Sequence, residues 1–486
     1  MGVSPIDTVL GRRGGVLRLV LELVCGMLTT QDRNNFVLVC QLWREVGEEP
    51  RFCYMGILSL TREKLNTISE RLDCRRMRFV REIRVEEGVK VSEEVLQAVA
   101  RHKGLKKLVM FGTDLSTVEK GQMSTVIKRL EEVDISHTKL TVQQLEAIMT
   151  AICAGDCLLK SLKIAASKLS TVNHSLLTSA VNKLDEVNLS SIGLTVQQLE
   201  AIMTAIVDGD CLVKSLNIER NNLSTVNQIL LTSAVKMLKK VNITATDMTD
   251  QQMEAIMTAI GDGGCSVKSL NISNNNLSTV NKTLLASAVN MLEELNLFGT
   301  ELTVKQLEAV MTAIFDGDCL LKSLDLSMNN LSAVNPIILT SAVSRLEKVD
   351  LFETQLTVQQ VEAIMTAIAG DECLLKTLKI LHNEMHTVNP CVMALAVNSL
   401  ESIEMSTGHM SLHQVEAILT KSLEKTSLKS LYLVVDYPFL ILDEYMLTMV
   451  NLAIGHVVIE SFFGWFINGV HRQNMTIQQQ VKLPTI

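Results

Sequence analysis

A chain of 486 residues exceeds one ordinary globular core, so several domains or a repeat array are expected. Apolar residues make up 47% but aromatics only 3%, which calls for a core of Leu, Ile, Val, Met and Ala. The net charge of −8 argues against a general nucleic-acid binder, and eleven cysteines are too sparse for a disulfide scaffold.

Residues 1–15 read as a flexible N-terminus. The apolar run VLRLVLELVCGML is broken by Arg18 and Glu22 and lacks a small-residue cleavage site, so it does not read as a signal peptide. Met1-Gly2 would suit myristoylation, but Ile6 stands where that motif has Ser or Thr. A cytoplasmic location is expected, with the nucleus open. Residues 16–55 read as a small helical unit. Val20, Leu21, Val24 and Leu28 share one face, TTQD opens a second helix, and Phe36, Val39, Cys40 and Trp43 make its face. So small a bundle buries little apolar surface and is expected to lean on the rest of the chain or on a partner.

The stretch 16–52 resembles an F-box. An aliphatic helix is followed by a polar turn ending in Asp32 and a helix closing on Leu38, Val39, Cys40 and Trp43. Val16 and Leu17 replace the Leu-Pro pair that opens the family's motif. The resemblance implies docking on a Skp-family linker protein, with Leu21, Leu28, Leu38 and Trp43 making or supporting that surface. The rival reading of the same residues is a plain N-terminal cap. Residues 56–78 are expected to be a helical linker or N-terminal cap.

The phrase LTVQQLEAIMTAI begins at Leu140 and returns unchanged at Leu194. Edited copies begin at Met248, Leu302 and Leu356, and a frayed one at Met410, always 54 residues on. Each unit divides into halves of 25 and 29 residues that share the frame L-x-x-L-x-L-x-x-N-x-L. The alternating leucines predict a short half-buried strand. The polar place after it turns the chain. Asn221, Asn275, Asn329 and Asn383 hold it in the first halves, and Thr138, Thr246, Thr300 and Thr354 in the second. Buried there, such a side chain can satisfy loop backbone groups. The phrase itself is the return helix, with Leu145, Ile148, Met149 and Ile152 on one face and Thr141 with Gln144 as a capping box. The AGDC and DGDC segments put a glycine near its end.

The frame and its length are similar to leucine-rich repeats of the ribonuclease-inhibitor type. It starts at Val80, Leu105, Leu130, Leu159, Leu184, Val213, Leu238, Val267, Leu292, Leu321, Leu346, Leu375, Leu400 and Leu428, the first copy being degenerate. The resemblance implies an α/β solenoid of about 14 coils over residues 79–437, with a parallel concave sheet and convex helices, preceded by the small all-α unit. A single coil cannot bury its own apolar face, which is why coils stack and keep a constant length.

Cys157, Cys211, Cys265, Cys319 and Cys373 recur every 54 residues. Equivalent places two coils apart stand about 10 Å from one another. That is too far for a disulfide or for shared zinc, so they are expected to be free, buried core residues. The nine histidines show no metal or triad spacing, and the common enzyme signatures are missing. Glu131-Glu132 and Glu293-Glu294 read as a solvated face. The chain is therefore expected to be no enzyme and to use no cofactor or metal.

After Asp436 the repeat wording stops, and 438–486 read as a C-terminal cap and tail. The apolar stretch Met446–Val470 raises a membrane span, but Asn451, His456 and Glu460 inside it would be costly in lipid. An F-box followed by leucine-rich repeats implies a substrate adaptor of a cullin-based SCF ubiquitin ligase. It would bind linker and cullin complex at one end and an unidentified protein substrate on the solenoid. The rival is a free-standing leucine-rich-repeat binding or inhibitor module. Sheet side chains alternate, and the exposed columns hold mostly Ser, Asn, Lys and acidic residues, among them Ser215, Asn217, Ser269, Asn271, Asp325 and Asp350. Phe298, Phe352 and Leu381 break the column after the third leucine, and Met328 stands one place further on. These four are the candidate substrate-binding residues, with Glu353 and His382 as a polar rim.

Overall fold

A computed structural model describes residues 57–61 and 80–435, apart from 168, 210, 317–318, 407–409, 423–427 and 429, and the backbone of four strands between 456 and 480. Leu21, Leu28, Leu38 and Trp43 lie outside the described residues, as does the whole F-box-like stretch. The chain divides into two compact units, Met1–Val213 and Lys214–Ile486.

In the first unit the strands are β1 (Ile57–Leu60), β2 (Glu82–Val85), β3 (Lys107–Val109), β4 (Glu132–Asp134), β5 (Ser161–Lys163) and β6 (Glu186–Asn188). The helices are α1 (Glu93–Arg101), α2 (Lys120–Ile127), α3 (Val142–Cys153), α4 (His174–Val181) and α5 (Val196–Val207). Each strand pairs in parallel with the next, the middle frame leucines in register: Leu108 beside Val133, Val133 beside Leu162. Each helix packs on its successor. β1 corrects one expectation, because it lies in the stretch assigned to a helical linker. Its ILSL sequence alternates, Leu60 is buried, and pairing with β2 supplies backbone partners that an open sheet edge would lack.

The second unit is built from the same kind of coil. Its strands are β7 (Ser215–Asn217), β8 (Lys240–Asn242), β9 (Ser269–Asn271), β10 (Glu294–Asn296), β11 (Ser323–Asp325), β12 (Lys348–Asp350), β13 (Thr377–Lys379), β14 (Ser402–Ser406) and β15 (Ser430–Val435). Its helices are α6 (Gln228–Met237), α7 (Asp250–Gly261), α8 (Lys282–Met291), α9 (Val304–Asp316), α10 (Pro336–Arg345), α11 (Val358–Ile368), α12 (Pro390–Ser399) and α13 (Leu412–Ser422). Every strand from β2 to β15 starts two residues after a frame start. Beyond the frames, β16 (His456–Ser461) joins β15 in parallel. β17 (Trp465–Ile467) and β18 (Val470–Arg472) pair with each other, and β19 (Thr476–Gln480) lies antiparallel to β16. Among the described residues no helix is long and apolar enough to cross a membrane.

Each coil buries one helix stripe and one strand column. Leu145, Ile148, Met149 and Ile152 are at most 2% exposed. Thr141 and Gln144 cap α3 reciprocally, as do the equivalent pairs of α5, α7 and α11. Gly209 and Gly263 follow their helices with left-handed backbone, φ 85° and 80°, which a side chain would strain.

Buried amides explain why the period is two coils. Gln252, at the start of α7, donates from Nε2 to the carbonyls of Leu223 and Val226 in the preceding coil, both at 2.8 Å. Gln144, Gln198, Gln306, Gln360 and Gln414 do the same. In the coils of Asn275, Asn329 and Asn383, which lack that glutamine, the asparagine reaches back instead. Asn329 donates to Leu297 O at 2.7 Å and accepts from the N–H of Leu302 at 3.1 Å. Asn383 makes the same bonds to Leu351 O and from the N–H of Leu356. The carbonyl that Asn329 reaches also accepts from Thr300 Oγ1 at 2.7 Å. From Asn275 to Gln414 the staples to the preceding coil thus alternate between Asn and Gln, and 54 residues restore the same pair. Unmet polar groups at such depth would cost about 1–3 kcal/mol each.

Candidate functional site

The exposed face of the second unit's sheet carries the apolar row. Its shape comes from the turn after each strand. Asn296 Oδ1 accepts from the N–H of Phe298 at 2.8 Å, and Asp350 Oδ1 from that of Phe352 at 3.1 Å. The following residue is left-handed in coil after coil: Gly299 at φ 61°, Met328 at 57°, Glu353 at 52° and His382 at 55°. For non-glycine residues that conformation costs about 1 kcal/mol or more. It persists because each of these N–H groups pairs across to the next coil, as Met328 does to Phe352 O at 2.9 Å and Glu353 to Leu381 O at 3.0 Å.

Phe298, Phe352 and Leu381 are half-buried, and Met328 is 48% exposed. None belongs to the core, whose frame leucines are almost fully covered. His382 packs edge-on against Phe352, with ring centroids 5.3 Å apart and planes at 88°. The first unit repeats the arrangement: Phe111, 40% exposed, lies 4.9 Å from the ring of His137 in the following coil. Reading only the later coils misses Phe111, although the shared triplet Phe111-Gly112-Thr113 and Phe298-Gly299-Thr300 marks it in the sequence.

Beside the row, β9 to β12 form a shallow groove of about 230 Å³ lined by Ser269, Asn271, Glu294, Asn296, Ser323, Asp325, Lys348 and Asp350. Asp325 and Asp350 are register neighbours. Burial pushes the Asp325 carboxyl above the usual carboxylate range, and the Asp350 charge adds to that, while Ser327 and Lys348 act against it. Ser327 donates from Oγ to Asp350 at 2.9 Å. A groove of about 240 Å³ on the first unit's sheet is balanced instead, with Arg84, Lys107 and Lys163 facing Glu82, Glu132 and Asp134.

The cysteine ladder needs a correction. All five thiols are free, but they are half-buried rather than core, because each sits in the connection two residues before the first frame leucine. Burial still pushes the thiols of Cys157, Cys211, Cys265 and Cys319 up. The acidic pairs lie on the surface: Glu131 meets Lys106 at 2.7 Å, Glu132 meets Lys107 at 3.0 Å and Glu293 meets Lys322 at 3.2 Å. Among the described residues no three His, Cys, Asp or Glu side chains gather as a metal site.

Strand, turn and return helix on a 25- and 29-residue frame define a leucine-rich-repeat solenoid protein. No protein-family model and no curated protein matches the chain. Among solved structures it is similar to the leucine-rich-repeat-containing protein LegL7 from Legionella pneumophila, at 17% identity and TM-score 0.41 over 59% of this chain and 96% of that one. It is also similar to a structure of the Rad7 and Elc1 complex in yeast, at 13% identity and TM-score 0.49 over 78% of this chain and 91% of that one. A leucine-rich-repeat protein of Leptospira interrogans matches at 14% identity and TM-score 0.40, over 74% of this chain and 91% of that one. The match of strand to frame, not these likenesses, carries the fold assignment.

Proposed function

We propose that the protein is a non-enzymatic substrate-recognition adaptor of an SCF-type cullin ubiquitin ligase, whose solenoid holds a target protein on the exposed sheet face. The observation that carries the binding role is the row of Phe298, Met328, Phe352 and Leu381, apolar and part-exposed where the sheet otherwise shows polar side chains. Clustered exposed apolar groups mark interaction surfaces, and a few such anchors carry most of the affinity. The adaptor role rests on the F-box resemblance of residues 16–52, with Leu21, Leu28, Leu38 and Trp43 toward the Skp-family linker. In that role the protein performs no chemistry. It raises the target's effective concentration at the conjugating enzyme.

Two measurements test the parts separately. Purified protein should bind linker at micromolar concentration. Failure to do so removes the adaptor role and leaves a free-standing binding module. Phe298→Ser with Phe352→Ser should lower target capture at least tenfold, about 1.4 kcal/mol, with little change in melting temperature. A collapse of melting would make the two rings structural and end the binding assignment.

A further inference from the structure

We propose that the segment bound on this face carries an arginine or lysine beside apolar residues, the basic group entering the groove of β9 to β12 and the apolar ones covering Phe298, Met328 and Phe352. The inference rests on the binding role proposed above and names its partner's chemistry. Charge complementarity selects the occupant. Along the same sheet Glu347 meets Lys376 at 2.6 Å and Glu404 meets Lys379 at 2.9 Å. The groove departs from that pairing: Glu294, Asp325 and Asp350 line it against Lys348, and Lys379, in register beside Asp350, is already held by Glu404.

Two carboxylates on neighbouring strands stand only about 4.8 Å apart at the backbone, and like charges so placed disfavour each other's ionisation. A cation between them relieves that repulsion, whereas an acidic segment adds to it. Burial has already pushed the Asp325 carboxyl up, so this carboxylate gains more from a counter-charge than a solvated one would. The apolar row adjoins the groove. Asp350 accepts from the backbone of Phe352 itself and Asn296 from that of Phe298, so a side chain reaching Asp350 continues directly onto the rings. A guanidinium adds stacking on an aromatic face that an ammonium provides less well. The balanced groove of the first unit lacks this acidic excess, so the preference belongs to residues 269–352.

The test pans a phage-displayed library of random dodecapeptides against the full chain and measures synthetic copies of the recovered peptides. Expected are peptides with arginine or lysine within a few places of leucine, isoleucine or phenylalanine. Their affinity should fall at least tenfold with Asp325→Asn plus Asp350→Asn, and at least tenfold with Phe298→Ser plus Phe352→Ser. Met328→Ser, at an exposed place, serves in place of the phenylalanine pair if that variant melts early. Peptides that need the rings but carry no basic residue and ignore the asparagine variants overturn the charge preference while keeping the face. Peptides indifferent to the rings and to Met328, or no recovered peptide at all, overturn both.

Discussion

Replacing Asn329 tests the alternating staple. The side chain is 2% exposed and donates to the carbonyls of Leu297, Leu326 and Ser327 at 2.7, 3.1 and 3.3 Å. Its Oδ1 accepts from Leu302 N at 3.1 Å and Thr300 Oγ1 at 3.3 Å. Leu297 O keeps the Thr300 hydroxyl and Leu326 O keeps the backbone N–H of Asn329, so alanine leaves the N–H of Leu302 as the group most in need. About three effective bonds at about 1 kcal/mol each give an expected loss of about 3 kcal/mol for Asn329→Ala. Asn329→Asp keeps the shape but turns an acceptor toward those carbonyl oxygens and buries a charge, so it should be worse than alanine at neutral pH. That carboxyl has a raised folded pKa, so the excess penalty should vanish as pH falls to about 3 and the acid is protonated. Asn330→Ala, next along and exposed, should cost under about 1 kcal/mol. Urea unfolding followed by circular dichroism measures the totals, with amide exchange at Leu302 as the local readout. A loss under about 1 kcal/mol for alanine, or aspartate as stable as asparagine, would refute the two-coil staple.

Asp325→Asn without a bound partner should stabilise the protein at neutral pH, since burial raises the folded carboxyl pKa. Stability from such a group is complete below the unfolded pKa and is lost as pH rises through the folded one, so the variant's advantage should disappear near pH 3, about a unit below the usual aspartate pKa; an advantage equal at both pH values tells against it. The thiols of Cys157, Cys211, Cys265 and Cys319 should alkylate more slowly than exposed Cys391 in the folded protein, read by mass spectrometry; equal rates, or a disulfide between any two, contradict the burial described. On the adaptor role proposed above, Trp43→Ala should abolish linker binding, with a loss of about 3–5 kcal/mol for a buried ring, and leave the far-ultraviolet spectrum of the solenoid unchanged; intact binding counts against the F-box resemblance.

Periodicity made most of the fold legible. Each frame from Val80 to Leu428 yields a strand two residues later, and Thr141 with Gln144 forms the capping box that its spacing suggests. Both follow from local rules: alternation for strands, three- and four-residue steps for helices, and one side chain reaching three residues along the backbone. What the sequence could not decide lies between coils, where residues 23 to 32 places apart meet. The second use of Gln144, a buried amide donating to Leu115 and Val118, needs the previous coil in position. β1 precedes the first frame counted in the sequence, yet Leu58 and Leu60 stand in register with Ile83 and Val85, the frame places of β2. The cysteines looked like core from their recurrence every 54 residues, and only the course of the connecting loop left them half-exposed. The part-exposed row was visible as a break in a column, but that Phe352 meets His382, and Phe111 meets His137, depends on stacking. So does the meeting of Asp325 with Asp350 in one groove, because strand register, not sequence distance, sets which charges become neighbours.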